Sequence, residues 1–180
     1  MNGQGFALNQ IIISAQKEMR DAIDKLQVEE KGREVASLQG HVAGYKEIIS
    51  IIAGRFHLFQ YELEDNGDEP AKIPDLTDAD LEVVSMDAKF LLDRYEWKEV
   101  MERVEANVYQ WKNNLFYAGE STRDLDIAQG KYKGQKIYEQ FFRAVDNEVE
   151  RRAKEAAEKA KQPSLFDEGG RVIPFESANA

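Results

Sequence analysis

A glycine string that occurs twice constrains this chain more than any other feature. Gln39-Gly40-His41-Val42-Ala43-Gly44-Tyr45-Lys46 returns ninety residues later as Gln129-Gly130-Lys131-Tyr132-Lys133-Gly134-Gln135-Lys136, so both copies read Gln-Gly-x-x-x-Gly-x-Lys. Each copy sits inside a stretch of helical periodicity, where a glycine costs about 1 kcal/mol relative to alanine. Two glycines four residues apart share one helix face, and their missing side chains let a neighbour approach the backbone. Packing within a hairpin would put Trp111 or Phe116 into that slot in the second copy.

The surrounding residues keep the same ninety-residue offset. Arg33-Glu34-Val35 aligns with Arg123-Asp124-Leu125, Ile48 with Tyr138, and Ile51-Ile52 with Phe141-Phe142. The aligned apolar pattern favours an internal duplication over a chance recurrence of hairpin packing. The string is not the dinucleotide fingerprint, which follows a strand and spaces its glycines differently. Nor is it a membrane small-xxx-small motif, because the flanking residues are too polar.

Around the glycines the apolar residues divide the chain into helices. Ile11, Ile12, Ala15, Met19, Ile23 and Leu26 recur at three- and four-residue steps from Phe6 to about Glu29. Gly32 interrupts them, and a second run follows at once from Val35 to Phe56, which predicts an antiparallel hairpin over 1–61. Residues 62–76 hold Pro70, Pro74, Asn66-Gly67 and many acids, and read as a linker. Thr77 with Asp80 forms a capping box that opens the next helix. Its apolar positions include Leu81, Val84, Met86, Phe90, Leu91, Tyr95, Val100, Val104, Val108, Trp111, Leu115 and Phe116, with a break expected between Asp93 and Trp97. Gly119 is a stop, Ser121-Thr122-Arg123-Asp124 a second capping box, and a further helix runs from Leu125 through Val149 towards Lys161. Its apolar stripe fades beyond Val149, which predicts an exposed end. The second hairpin thus spans 77–161, and Pro163 and Gly169-Gly170 leave 162–180 as a flexible, extended tail. The fold class expected is all-α: two related antiparallel helical hairpins joined by an acidic linker.

Composition narrows function by exclusion. The chain of 180 residues has no Cys, which removes disulfide frameworks, thiol catalysis and cysteine-ligated metals. Thirty-four acids against 24 bases give a net charge of -10, opposing a general grip on nucleic acid or anionic lipid. Segment 62–82 alone carries nine of the acids and one lysine, so the acidity belongs to the connector and the start of the third helix. Glu62, Glu64, Asp65, Asp68 and Glu69 do not follow the calcium-loop order and read as a solvated linker. His41 and His57 lack a second His or a nucleophile at useful spacing. Arg151, Arg152, Lys154, Lys159 and Lys161 alternate with Glu148, Glu150, Glu155 and Glu158, the pattern of a salt-bridged solvent face. No apolar run is long enough for a membrane span, and Met1–Asn9 lacks the regions of a signal peptide. The expectation is a protein with no catalytic residue, cofactor or metal.

Two resemblances rest on short motifs. Gln162-Pro163-Ser164-Leu165-Phe166 resembles the bacterial sliding-clamp-binding peptide, whose usual form is Gln-Leu-Ser/Asp-Leu-Phe; Pro163 stands where the family commonly has Leu. Leu165 and Phe166 would enter a hydrophobic pocket while Gln162 hydrogen-bonds beside it. The alternative is that the tail docks on the protein's own body or on a neighbouring subunit. The segments Ser37-Leu38-Gln39-Gly40-His41-Val42-Ala43-Gly44 and Ile127-Ala128-Gln129-Gly130-Lys131-Tyr132-Lys133-Gly134, with Trp111, look like small helical-hairpin proteins of tailed bacteriophages encoded near head and packaging genes. That likeness implies a virion or assembly component, partnered by phage structural proteins or by further copies of itself. Its place would be the cytoplasm of an infected bacterial cell or the virion.

Overall fold

The computed structural model describes residues 5–59, 63–117 and 122–161, without the side chains of 112, 114–117 and 161. Among the described residues the protein is all-helical: α1 (Phe6–Val28), α2 (Gly32–Phe56), α3 (Asp78–Asp93), α4 (Tyr95–Tyr117), α5 (Thr122–Gln135) and α6 (Tyr138–Lys161), with one turn of 3-10 helix at Ile73–Asp75. Three residues separate α1 from α2, and the two helices pack on each other. The expected break falls at Arg94, whose extended backbone ends α3. Its guanidinium lies 4.9 Å from the centre of the Phe56 ring.

Helix ends follow local chemistry where the chain supplies it and distant chemistry where it does not. Thr77 Oγ1 accepts the Asp80 amide at 3.2 Å, the first half of the capping box, and donates to the Asp80 carboxylate at 2.6 Å. Gly5, at the start of α1, has no side chain to cap with. The Ala7 amide there donates instead to Asp87 of α3, 2.6 Å away, so a tertiary contact caps α1 with a carboxylate suited to the helix dipole.

The last long helix of the sequence analysis is divided in two. At Lys136-Ile137 the ladder tightens, with the Ile137 amide on the Gly134 carbonyl at 3.3 Å and the Glu139 amide on the Lys136 carbonyl at 3.0 Å. In the first copy the equivalent stretch of α2 stays helical through Lys46-Glu47. The turn lets α5 follow α2 while α6 leaves to pack on α1 and α3. Helix starts otherwise repeat with the glycine string, α2 at Gly32 and α5 at Thr122.

One apolar cluster draws on α1, α2, α3, α4 and α6. Ile11, Ile48, Ile52, Leu81, Val84, Leu91, Val100, Val104 and Val145 are all buried in it. Trp97 is its aromatic centre, 5.6 Å from Tyr138 and 5.8 Å from Phe142 in edge-to-face contact, and 6.4 Å from Phe56. Burial pushes the hydroxyls of Tyr45 and Tyr138 up to about 12.

The acidic connector is a strap held along α1. Gln16 Nε2 donates to the Leu63 carbonyl at 2.9 Å, Gln10 Oε1 accepts the Ala71 amide at 2.6 Å, and Arg20 pairs with Asp65 and reaches the Asp68 carbonyl at 3.0 Å. Ile73 is buried, so the strap contributes to the core. Its far end is gripped by Arg152 of α6, which donates to the Leu76 carbonyl at 2.7 Å and to Asp78 at 2.5 Å. Glu148 orients that arginine, accepting from Arg152 Nε at 2.7 Å and from Arg151 at 2.6 and 2.9 Å. Of the expected salt-bridged face of α6, Arg151 with Glu148 and Glu155 and Lys154 with Glu150 are paired along the helix, while Glu148 itself is buried and Arg152 reaches off the helix.

Arg151 first, and then Arg152, holds the Glu148 carboxyl down at about 2 instead of its ordinary 4.5. A carboxyl depressed on folding stabilises the fold above its unfolded value and ceases to do so as pH falls through the folded one. The contribution of Glu148 should therefore fade between pH 4.5 and about 2. Urea unfolding across that window should show a flatter acid limb for Glu148→Gln than for the parent.

Candidate functional site

The twice-repeated glycines meet one another. A side chain on Gly40 would overlap the Ile127 carbonyl, one on Gly130 the Ser37 carbonyl, and one on Gly44 the Lys131 carbonyl. On Gly134 it would stand 2.7 Å from the His41 carbonyl. The pattern is reciprocal, since each glycine faces the carbonyl three residues before its counterpart's position. Residue numbers rise together on the two helices, so α2 and α5 run parallel and are related by a local pseudo-twofold. Their contact is the most extensive between any two helices described.

This corrects the occupant expected for the glycine slot. The slot is filled by the backbone of the other repeat, not by Trp111 or Phe116. Trp111 lies at the rim, half-buried, with Lys131 Nζ 4.6 Å above its ring. The Phe116 side chain lies outside the described residues.

Along α5 the buried positions are Asp126, Gly130, Gly134 and Gln135. None is a large apolar residue, so α5 is held by backbone proximity and by charge. Facing it on α2 are Ala36, Gly40 and Gly44, all buried. Polar pairs close the seam at both ends. Arg33 Nε reaches Asp126 at 3.1 Å, and Lys131 Nζ reaches Glu47 at 2.7 Å, with Asn107 donating to the same carboxylate at 3.0 Å. Gln39 and Gln129 occupy equivalent exposed positions beside the glycines and do not enter the seam.

At one end, the paired N-termini border a cleft lined by Gly32, Arg33, Val35, Thr122, Arg123 and Asp126. A shallower groove beside α5 is lined by Trp111, Asp124, Ile127, Ala128 and Lys131. Gln135 is fully buried with both amide atoms unpartnered within the described chain, as are Trp97 Nε1 and the Tyr138 hydroxyl. These atoms mark the corner where α5 turns into α6.

The remaining residues singled out from sequence are dispersed. His41 is half-buried and stacked on Tyr45 at 6.2 Å, and burial lowers its pKa. His57 ends α2 in the left-handed region. Asp65 and Glu69 pair with Arg20 and Lys17 of α1. No group of three His, Asp or Glu among the described residues could hold a metal ion. Gln162, Leu165 and Phe166 lie outside the described residues, as does the capping residue Ser121. No helix among those described is long and apolar enough to cross a membrane. Comparison with family models, curated proteins and solved structures gives no match to this chain.

The seam can be tested against a glycine in the same helix. A side chain at Gly44 would stand 3.0 Å from both the Gln135 nitrogen and the Gly134 Cα, whereas nothing lies within 4 Å of one at Gly54. Gly44→Ala should lose about 1–3 kcal/mol by forcing the backbones apart. Gly54→Ala should gain about 0.5–1 kcal/mol from the unfolded chain's reduced freedom. Thermal denaturation followed by circular dichroism reads both; equal effects would remove the close-packing explanation.

Proposed function

We propose that the protein is a non-enzymatic interaction protein of tailed-bacteriophage type, a head, neck or assembly component that works through its helix faces. The observation that carries this reading is the division of labour between inside and outside. Four glycines join α2 to α5, and an apolar core joins α2 to the remaining helices, which makes one scaffold. Large apolar side chains, among them Val83, Met86, Phe90, Tyr95 and Tyr109, are presented outward on that scaffold. Such a body suits a partner that reads shape and apolar surface. The two hairpins are then copies of one ancestral unit, retained because their glycine faces complement each other. Mass spectrometry of purified virions from the encoding phage should find the protein at stoichiometric copy number; absence from both virions and assembly intermediates would overturn the reading.

The second reading is a replication accessory that recruits the bacterial sliding clamp. It rests on Gln162-Pro163-Ser164-Leu165-Phe166, which follows directly on α6, a helix whose turns from Ala153 to Ala160 are exposed. In that reading α6 acts as a stalk for the motif. Immobilised clamp should retain the full chain and release the Leu165→Ala, Phe166→Ala double variant. Retention of the double variant would remove the motif from consideration.

A further inference from the structure

We infer that α3 carries a self-association surface, on which the α3 of a second copy packs antiparallel. The inference goes beyond the proposed function and does not depend on it.

A surface helix normally pairs one apolar stripe with an opposite polar face. On α3 the stripe of Leu81, Val84, Ala88 and Leu91 is buried in the core. A second stripe, Ala79, Val83, Met86 and Phe90, lies nearly opposite and is exposed, its three larger members 64%, 65% and 66% so. The steps of four, three and four residues are those of a two-helix seam.

The occupant is indicated by the stripe's complementarity to itself. When two copies of α3 are laid antiparallel about a twofold between Val83 and Met86, Val83 covers Met86 of the second copy. Phe90 then covers the second copy's Ala79, a large residue over a small one. The same register brings Glu82 of each copy opposite Lys89 of the other, so one flank gains two opposite-charge pairs. Neither Glu82 nor Lys89 has an ion pair among the described residues. On the other flank Asp80 and Asp87 approach across the axis, and both are already engaged within their own chain. Asp80 accepts from Thr77 at 2.6 Å, and Asp87 accepts from the Ala7 amide at 2.6 Å at the positive end of α1. An isologous contact needs only such a patch, repeated by symmetry.

Four residues a side make a contact smaller than the roughly 800 Å² per partner of standard interfaces, so the dimer is reversible. Sedimentation velocity of the full chain over a wide concentration series should show a monomer–dimer equilibrium. Phe90→Glu should abolish the dimer while leaving the circular dichroism spectrum unchanged, because Phe90 lies outside the core. Glu82→Lys and Lys89→Glu, each placing like charges together twice, should each weaken dimerisation by about tenfold, and the double variant should restore it. Monomer at every concentration, a dimer that survives Phe90→Glu, or failure of the double variant to restore association would overturn the inference. So would cross-linking of the α3 face to residues 162–180 of the same chain, or its occupation by a different protein's helix in place of a second copy.

Discussion

Where α2 and α5 touch, there are no side chains to compress. Gly40, Gly44, Gly130 and Gly134 bring two helical backbones into direct contact, and a single added methyl at Gly40, Gly44 or Gly130 would overlap a carbonyl of the facing helix. Each glycine weakens its own helix by about 1 kcal/mol, and the compensation is available only when both copies are in place. The α5 helix shows the dependence most clearly. Its buried positions are two glycines, an aspartate and a glutamine, so it has almost no apolar stripe with which to hold the core. Without the seam it has little reason to be where it is, and the chain on either side takes its path from α5.

The rest of the fold is conventional by comparison and is tied to the seam at definite points. Trp97 joins the end of α2 to the start of α6 through Phe56, Tyr138 and Phe142. The tight turn at Lys136-Ile137 carries the chain from the seam to that aromatic group, leaving buried amide and hydroxyl atoms unpartnered at the corner. The acidic strap and Arg152 then bind α1, α3 and α6 together from the outside. Acids that looked like a solvated spacer, Asp65 and Glu69, act as counter-ions for the polar side of α1. Near the paired helix starts, Asp126 of α5 takes the Arg33 guanidinium of α2 and ties the two helices together.

Much of this was legible in the residues. The three- and four-residue apolar steps marked the helices, Thr77 and Asp80 marked a helix start, and the strings at Gln39 and Gln129 marked the site of closest contact. Less legible was which apolar residues go inside. Leu81, Val84, Ala88 and Leu91 lie in the core while Val83, Met86 and Phe90, on the same helix and equally apolar, face outward. Periodicity alone does not choose between two stripes on opposite sides of one helix. Nor did it reveal Ala36 and Asp126 as members of the seam, since neither belongs to the repeated string.

The sequence by itself determined that the chain is helical, that its two halves share a pattern, and that its helices carry glycines for close approach. Each of these depends on residues a few positions apart, whose relations a helix sets locally. Only the tertiary structure decided what the glycines approach. They face the other repeat in a parallel pair, and the fit depends on carbonyls of Ser37, His41, Ile127 and Lys131 that any sequence would supply. Backbone atoms are common to every residue, so a partner made of backbone leaves no compositional trace.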